Sequence, residues 1–293
     1  MIWLASYPKS GNTWARILLE SYLRRGGAIA INRLRGTEYA AEHYVFSRIT
    51  GIRPRYLLPA EILPMRHAAF LEAGRVSGRY HLFKTHENNL RLEGGRYLYP
   101  VNARQGALVL IRHPYDVAVS YGHFSQGQAP DFDLAIDILN NADFRYSGLR
   151  DRFPETLGDW STHTLSWTKD PTPHHVVIRY EDMLQDTAHA LRRMLQLLIP
   201  DTPPEPAWLH DAIHAASFTG LRQQEARDPF IERPASADSF FRAGCAGSGR
   251  EVLSPGQRQR IWQRHHRVMT AFGYQEDGSV TPALHPQKED MPL

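Results

Sequence analysis

The sequence predicts an α/β protein: a parallel sheet flanked by helices on both faces, folded as a single domain. Three observations predict it. Short, continuous apolar runs recur along the chain, and each ends in a loop rich in proline, glycine or charge. Stretches with helical spacing of apolar residues separate several of these runs. The length of 293 residues, 42% of them apolar, supplies a large core at a size where α/β enzymes are often one domain. Buried strands alternating with helices form parallel sheets, and ligands of such sheets bind beyond the carboxyl ends of the strands.

The elements follow in order. Ile2 to Ala5 is apolar and stops at Ser6-Tyr7-Pro8, which predicts a strand entering a loop. After Gly11-Asn12, the residues Trp14, Ile17, Leu18, Ser21 and Tyr22 share one helical face, and Gly26-Gly27 ends the run. Tyr80 to Lys84 reads as a strand leading into Thr85-His86-Glu87. Ala107 to Ile111 reads as a strand buried on both faces, running into Arg112-His113-Pro114 and a helix through Asp116 to Tyr121. Asp116 suits the start of that helix, where a carboxylate favours the dipole. His175 to Ile178 predicts another buried strand. Leu184, Ala188, Leu191, Leu195 and Leu198 mark one helix, stopped by Pro200. Residues 201–206 read as a surface loop. Residues 30–75, 122–157 and 222–249 show no clear period, which suggests lids or binding loops. The main domain spans 1–274, and the polar tail 275–293 is expected to be loosely held.

Composition excludes several classes. The formal net charge of +3 suits an anionic ligand and is too weak to indicate nucleic acid. Cys245 is the single cysteine, so neither an internal disulfide nor a cysteine metal cluster is available. No run of about 18 apolar residues exists to span a membrane. The N-terminus lacks the basic start and apolar run of a signal peptide, so the expected location is cytoplasmic. The pairs His174-His175 and His265-His266 are adjacent and do not face each other on regular structure, so no metal site is expected.

The segment Tyr7-Pro8-Lys9-Ser10-Gly11-Asn12-Thr13-Trp14 has the chemistry of a phosphate cradle. A loop between a buried strand and a helix N-terminus presents backbone N–H groups to one point, and the helix dipole adds positive potential. Gly11 permits close approach, Lys9 adds a charge, and Ser10 and Thr13 offer hydroxyls. The lysine precedes the glycine, so this is not a Walker A loop.

Those residues resemble the 5′-phosphosulfate loop of the sulfotransferases that use 3′-phosphoadenosine 5′-phosphosulfate (PAPS). The resemblance is to the soluble, cytosolic type, including bacterial-like small-molecule members, and it covers roughly residues 1–274. It implies a P-loop-NTPase-like version of the predicted fold. Arg112 to Ser120 resembles the family's 3′-phosphate site, with Arg112 and Ser120 as the phosphate contacts. Gly158 to Trp167 followed by Arg179-Tyr180-Glu181-Asp182-Met183 resembles a further helix and strand, and implies that Tyr180 contacts adenine. Trp160, His163, Leu165 and Trp167 read as packing residues. Trp14 and Phe218 resemble the pair that sandwiches the adenine ring. Phe241-Arg242-Ala243-Gly244 resembles the late 3′-phosphate loop through Arg242 and Gly244. The Asp-Trp usual later in that loop is replaced here by Ser248-Gly249. The dimerisation stretch of cytosolic animal members is poorly matched in Arg250 to Gln259, so the resemblance implies no oligomeric state.

Lys84-Thr85-His86 matches the family's catalytic triplet. The resemblance implies PAPS as donor, PAP as product and no metal. His86 is the expected base, and Lys9 is expected to neutralise the leaving oxygen. Lys84 is a second candidate for that role, and Ser10 is able to hold Lys9 beforehand. The expected acceptor is a small molecule with a hydroxyl or amine. Two other readings are a P-loop kinase, which lacks its Gly-Lys-Ser/Thr loop here, and a PAPS or PAP sensor, which would be expected to have lost His86 or Lys9.

Overall fold

The computed structural model describes residues 1–76, 81–102, 106–125, 129–148, 151–169, 174–234 and 237–282. The chain opens with β1 (Ile2–Ser6) and α1 (Asn12–Leu23). There follow β2 (Thr37–Tyr39), α2 (His43–Thr50), α3 (Pro59–Val76) and β3 (Leu82–Thr85). The middle holds β4 (Gly106–Ile111), α4 (Pro114–Ser125), α5 (Phe132–Asn140), the short strands β5 (Arg145–Tyr146) and β6 (Glu155–Thr156), and α6 (Trp160–Thr168). Then come β7 (His175–Arg179), α7 (Tyr180–Gln185), α8 (Thr187–Leu198), α9 (Pro206–Ala215), α10 (Phe218–Arg227), α11 (Ser248–Val252) and α12 (Pro255–Ala271).

Five strands form one parallel sheet in the order β2-β3-β1-β4-β7; the sequence predicts the parallel sheet and four of these strands, while β2 falls in a segment without visible period. β5 and β6 pair antiparallel outside it. Side chains of a strand alternate between faces, and the two cores follow that period. Trp3, Ala5, Ala107, Val109 and Ile111 join one core, with residues of α4, α5, α6 and α12. Ile2, Leu4, Leu108 and Leu110 join the other, with residues of α1, α8 and α9. Trp3 is fully buried and donates its indole N–H to the Pro100 carbonyl at 2.8 Å, which lets so large a polar-tipped ring sit in a core. β1 lies between β3 and β4, and the chain leaves it first towards β2 and β3, later crossing to β4. The carboxyl end of β1 is therefore the switch point where loops diverge and leave a crevice.

The segments without a visible period are not all irregular. Residues 30–75 contain α2 and most of α3, and 122–157 contain the end of α4 and all of α5. The face that α3 buries includes Arg66 and His67 beside Ala69 and Phe70, so hydropathy alone hides its period. Arg66 tolerates burial because its guanidinium donates to Glu87 and to the Tyr99 hydroxyl, each at 2.8 Å. Leu184 does not share a helix with Leu191. The chain breaks at Asp186, whose carboxylate accepts the His189 N–H at 2.8 Å and caps α8. Pro206 belongs to α9 rather than to the preceding loop, at a position where a missing N–H costs nothing. β7 is fully buried only at Ile178 and Arg179, because it closes the sheet.

Tyr80, expected to open β3, lies outside the described residues, as does the tail from 283 to 293. Residues 275–282 return antiparallel on Tyr274, and Arg179 donates to the Thr281 carbonyl at 2.9 Å. No described helix is long and apolar enough to cross a membrane.

Candidate active site

The loop after β1 turns within five residues because two of them take left-handed backbone angles. Lys9 has φ 70°, and Gly11 has φ 94° as it opens α1. A non-glycine residue in that region costs about 1–2 kcal/mol, so the surrounding contacts hold Lys9 there. A side chain at Gly11 would place its Cβ 2.7 Å from the Tyr180 ring. No side chain caps α1, which leaves its first N–H groups for a ligand. The Asn12 side chain turns back instead, donating to the Leu4 carbonyl at 3.3 Å and to Ser6 Oγ at 3.1 Å. Ser10 is buried beneath the loop, its hydroxyl without a partner. The Lys9 ammonium lies 3.6 Å from the centre of the Phe124 ring and 4.5 Å from that of Phe240. Burial, then the nearby Arg112 charge, lowers its pKa to about 7.

Arg112 leaves the end of β4 and ties two loops together. It donates to the Lys9 carbonyl at 3.1 Å and to the Cys245 carbonyl at 2.9 Å. Its guanidinium lies 4.2 Å from the centre of the Tyr180 ring, and its Nε is buried without a partner. Asp116 does more than favour the start of α4. Its carboxylate accepts the N–H groups of Gly247 at 2.8 Å and Gly249 at 2.7 Å, anchoring the loop that carries Arg242. A Cβ at Gly249 would lie 2.4 Å from the Tyr115 backbone, so that loop packs by close backbone approach where the family has tryptophan. Gly244 has φ 61°, and a Cβ there would lie 2.4 Å from the Phe218 ring. The Trp14 indole donates to the Ala216 carbonyl at 3.0 Å and meets the Tyr180 ring edge-on at 5.8 Å.

On the other side of β1, Lys84 and His86 stand two residues apart and so face the same way. The ring Nδ1 of His86 lies 2.9 Å from the Ser6 carbonyl. A carbonyl only accepts, so that nitrogen carries the proton and Nε2 keeps its lone pair. Burial, then the Lys84 charge, lowers the His86 pKa to about 4, and the imidazole is neutral at pH 7. Lys84 donates to Glu232 at 3.0 Å, and Arg16 donates to the other oxygen of Glu232 at 2.7 Å. Glu87 is engaged elsewhere, with Arg66 and with the Tyr99 hydroxyl at 2.6 Å.

One cleft of about 990 Å³ joins these walls. It is lined by Lys9, Gly11, Asn12, Thr13, Trp14, Lys84, His86, Arg112, Ser120, Tyr180, Phe218, Arg242 and Gly244, all singled out from the sequence. Ser10 alone of the expected set does not line it. Trp160, His163 and Trp167 are buried packing residues, as expected. Arg16, Tyr39, Phe124, Arg152 and Glu232 also line the cleft, and sequence reasoning missed them. Arg16 carried a signal, since it lies four residues past Asn12 on the same helix face. Glu232 carried none, because it sits in a segment without period or motif.

Among curated proteins the chain is similar to sulfotransferase 1B1 of Canis lupus familiaris, with 23% identity over 88% of this chain and 79% of that protein. It is 22% identical to sulfotransferase 1A1 of Rattus norvegicus, over 91% of this chain and 84% of the relative. Among solved structures, mouse sulfotransferase SULT7A1 complexed with PAP shares the fold at a TM-score of 0.56 and 20% identity, covering 92% of this chain and 84% of that one. A retinol dehydratase in complex with retinol and PAP shares it at 0.60 and 18%, covering 92% and 80%. The family model for the sulfotransferase domain matches residues 1–273, nearly the whole length, and the chain therefore belongs to the sulfotransferase family, whose members take a sulfuryl group from PAPS.

Proposed function

We propose that this PAPS-dependent sulfotransferase passes the sulfuryl group to the hydroxyl of a small acceptor, with His86 as the base. The observation that carries the reading is the state of His86. Its Nδ1–H is committed to the Ser6 carbonyl, it is neutral, and it lines the same cleft as Lys9. A neutral imidazole with one nitrogen fixed offers the other to a hydroxyl proton.

The chain's own groups fit the donor. The uncapped start of α1, with Lys9 beside it, suits the 5′-phosphosulfate. Arg112, with its buried Nε unpaired, joins Ser120 and Arg242 as the candidate 3′-phosphate site. Trp14, Tyr180 and Phe218 supply faces and edges for adenine. When bound, PAPS supplies the activated sulfuryl group and a phosphate leaving group. Lys9 places positive charge where the leaving oxygen becomes negative, and Lys84, which lines the same cleft, is a second candidate for that role. His86 Nε2 receives the acceptor proton, which grows more acidic as the oxygen bonds to sulfur. We take residues 1–274 as the catalytic domain.

The acceptor end supports a flat, largely apolar alcohol or phenol. Leu34, Tyr39, Tyr44, Val45 and Tyr146 line the cleft and belong to none of the loops assigned to the donor. Rings and aliphatic groups bind such molecules by burial and leave the reacting hydroxyl to the polar groups. The test is transfer from labelled PAPS to a panel of phenols, aliphatic alcohols and amines. Sulfated phenols or alcohols are expected. Transfer to amines alone would replace the hydroxyl reading, and PAP binding without transfer to any acceptor would favour a sensor.

A further inference from the structure

Glu232 belongs to neither the donor loops nor the catalytic triplet, yet it bridges two cations inside the cleft. Its carboxylate accepts from Arg16 on α1 and from Lys84 on β3, with the Arg16 side chain only 6% exposed and that of Lys84 12% exposed. The placement is built. Asn32 clamps the neighbouring backbone, donating to the Pro229 carbonyl at 3.0 Å and accepting the Ile231 N–H at 2.8 Å. Ile231 is thereby turned out to solvent, 74% exposed, and Glu232 inward.

We propose that Glu232 is a positioning residue for sulfuryl transfer, whose carboxylate keeps the Lys84 ammonium charged and fixed on the wall that carries His86. The inference rests on the reading of Lys84 as a cation of the transfer step. A partly buried ammonium without a counter-ion gives up its proton readily, whereas an anion at hydrogen-bond distance retains it. The other groups around Lys84 do not replace Glu232. Arg16 and Arg152 repel it, the Tyr39 ring lies 4.8 Å away, and Glu42, Glu155 and His86 act without a direct hydrogen bond to it. Burial disfavours the Glu232 charge, but Lys84 and Arg16 outweigh burial and hold the carboxyl at about 2, so the anion is present across the working pH range.

The sign follows. Glu232 raises the Lys84 pKa, so its removal lets Lys84 discharge at lower pH, and the alkaline limb of kcat moves down. Loss of an opposite charge at this range shifts a pKa by about 1–3 units, which sets the expected displacement of the limb in Glu232→Gln. Glu232→Asp, which keeps the charge, is expected to restore part of it, and PAP affinity by calorimetry is expected to stay within about twofold of wild type, too little to explain the loss.

The deciding measurement is the kcat–pH profile of wild type, Glu232→Gln, Lys84→Arg and the double variant, each at saturating acceptor. Arginine does not titrate in this range, so Glu232→Gln is expected to move the limb much less in the Lys84→Arg background, where only its lesser, through-space effect on Lys9 remains. A displacement of undiminished size there would mean that Glu232 acts mainly on Lys9 or on the fold, and would overturn the proposal. A raised acceptor KM with unchanged kcat would make Glu232 only a pocket wall, and would overturn it equally. Absence of turnover in the wild type with PAPS and a broad acceptor panel would instead indict the function itself. Lys84→Met with full activity would indict the role given to Lys84.

Discussion

On the proposed donor side of the cleft backbone is fitted against rings and against other backbone, and on the proposed acceptor side side chains are fitted against one another. Gly11 lies against Tyr180, Gly244 against Phe218 and Gly249 against Tyr115, and in each pair a single added Cβ would collide. Arg112 and Asp116 tie these loops through carbonyls and N–H groups. Across the cleft, Asn32 clamps 229–231, Glu232 joins Arg16 to Lys84, and the Tyr39 hydroxyl donates to the buried Glu155. A phosphate is the same object wherever it binds, and backbone N–H groups and glycines offer few ways to hold it. An acceptor is bounded by shape, and many side-chain sets give one shape. The first kind of wall is fixed by residue type and order, while the second is fixed only by what its neighbours are.

His86 stands where the two walls meet, and its loss gives the largest expected effect. Replacing a general base typically costs about 10²–10⁴ in rate. His86→Ala is expected to lower kcat by that factor, while PAP affinity by calorimetry stays near wild type. His174→Ala, outside both walls, is the control. An equal fall in PAP affinity would move His86 to the donor wall and erase the comparison at its centre.

Arg112 sharpens the donor side. Hydrogen bonds to charged groups are worth about 1.5–3 kcal/mol, or roughly 10–100-fold in affinity. Arg112→Ala is expected to weaken PAP by that factor and adenosine 5′-phosphosulfate, which lacks the 3′-phosphate, by much less. Equal losses for the two ligands would mean that Arg112 matters only as the tie between the Lys9 and Cys245 carbonyls.

The same division explains what the sequence made legible. β1, β4 and β7 were readable because continuous apolar runs ended at motifs, and the strand-end loops carried residue types that phosphate chemistry demands. Lys9, Arg112, Tyr180 and Gly244 fall together in the cleft from segments far apart in the chain. α3 was not readable, because its buried face includes Arg66, which pairs with Glu87. The partners of Glu87, Arg66 and Tyr99, are likewise invisible to local pattern. Ser10 was read as a cleft hydroxyl from its place in the motif, but the turn at Lys9 and Gly11 sends it beneath the loop. Glu232 depends on Asn32, about two hundred residues earlier, and no local pattern encodes that.

The smallest effect concerns Lys9, and it tests whether the donor wall is charged before the donor arrives. With a pKa of about 7, Lys9 is close to half protonated at pH 7 in the free protein. A phosphate beside it favours the charged form and raises that pKa. Binding of PAP at pH 7–8 is then expected to take up a fraction of a proton, up to about half of one at pH 7. Near pH 5 Lys9 is already protonated, and its uptake vanishes. Calorimetry in two buffers of different ionisation enthalpy reads the number directly. PAP carries its own titrating 5′-phosphate, so the same titration with Lys9→Met gives the ligand's contribution, and the difference between the proteins belongs to Lys9. A difference of zero across pH 6–8 would mean that Lys9 is fully charged beforehand. Burial and Arg112 would then leave no mark on it, and the donor wall would differ from the acceptor wall in geometry alone.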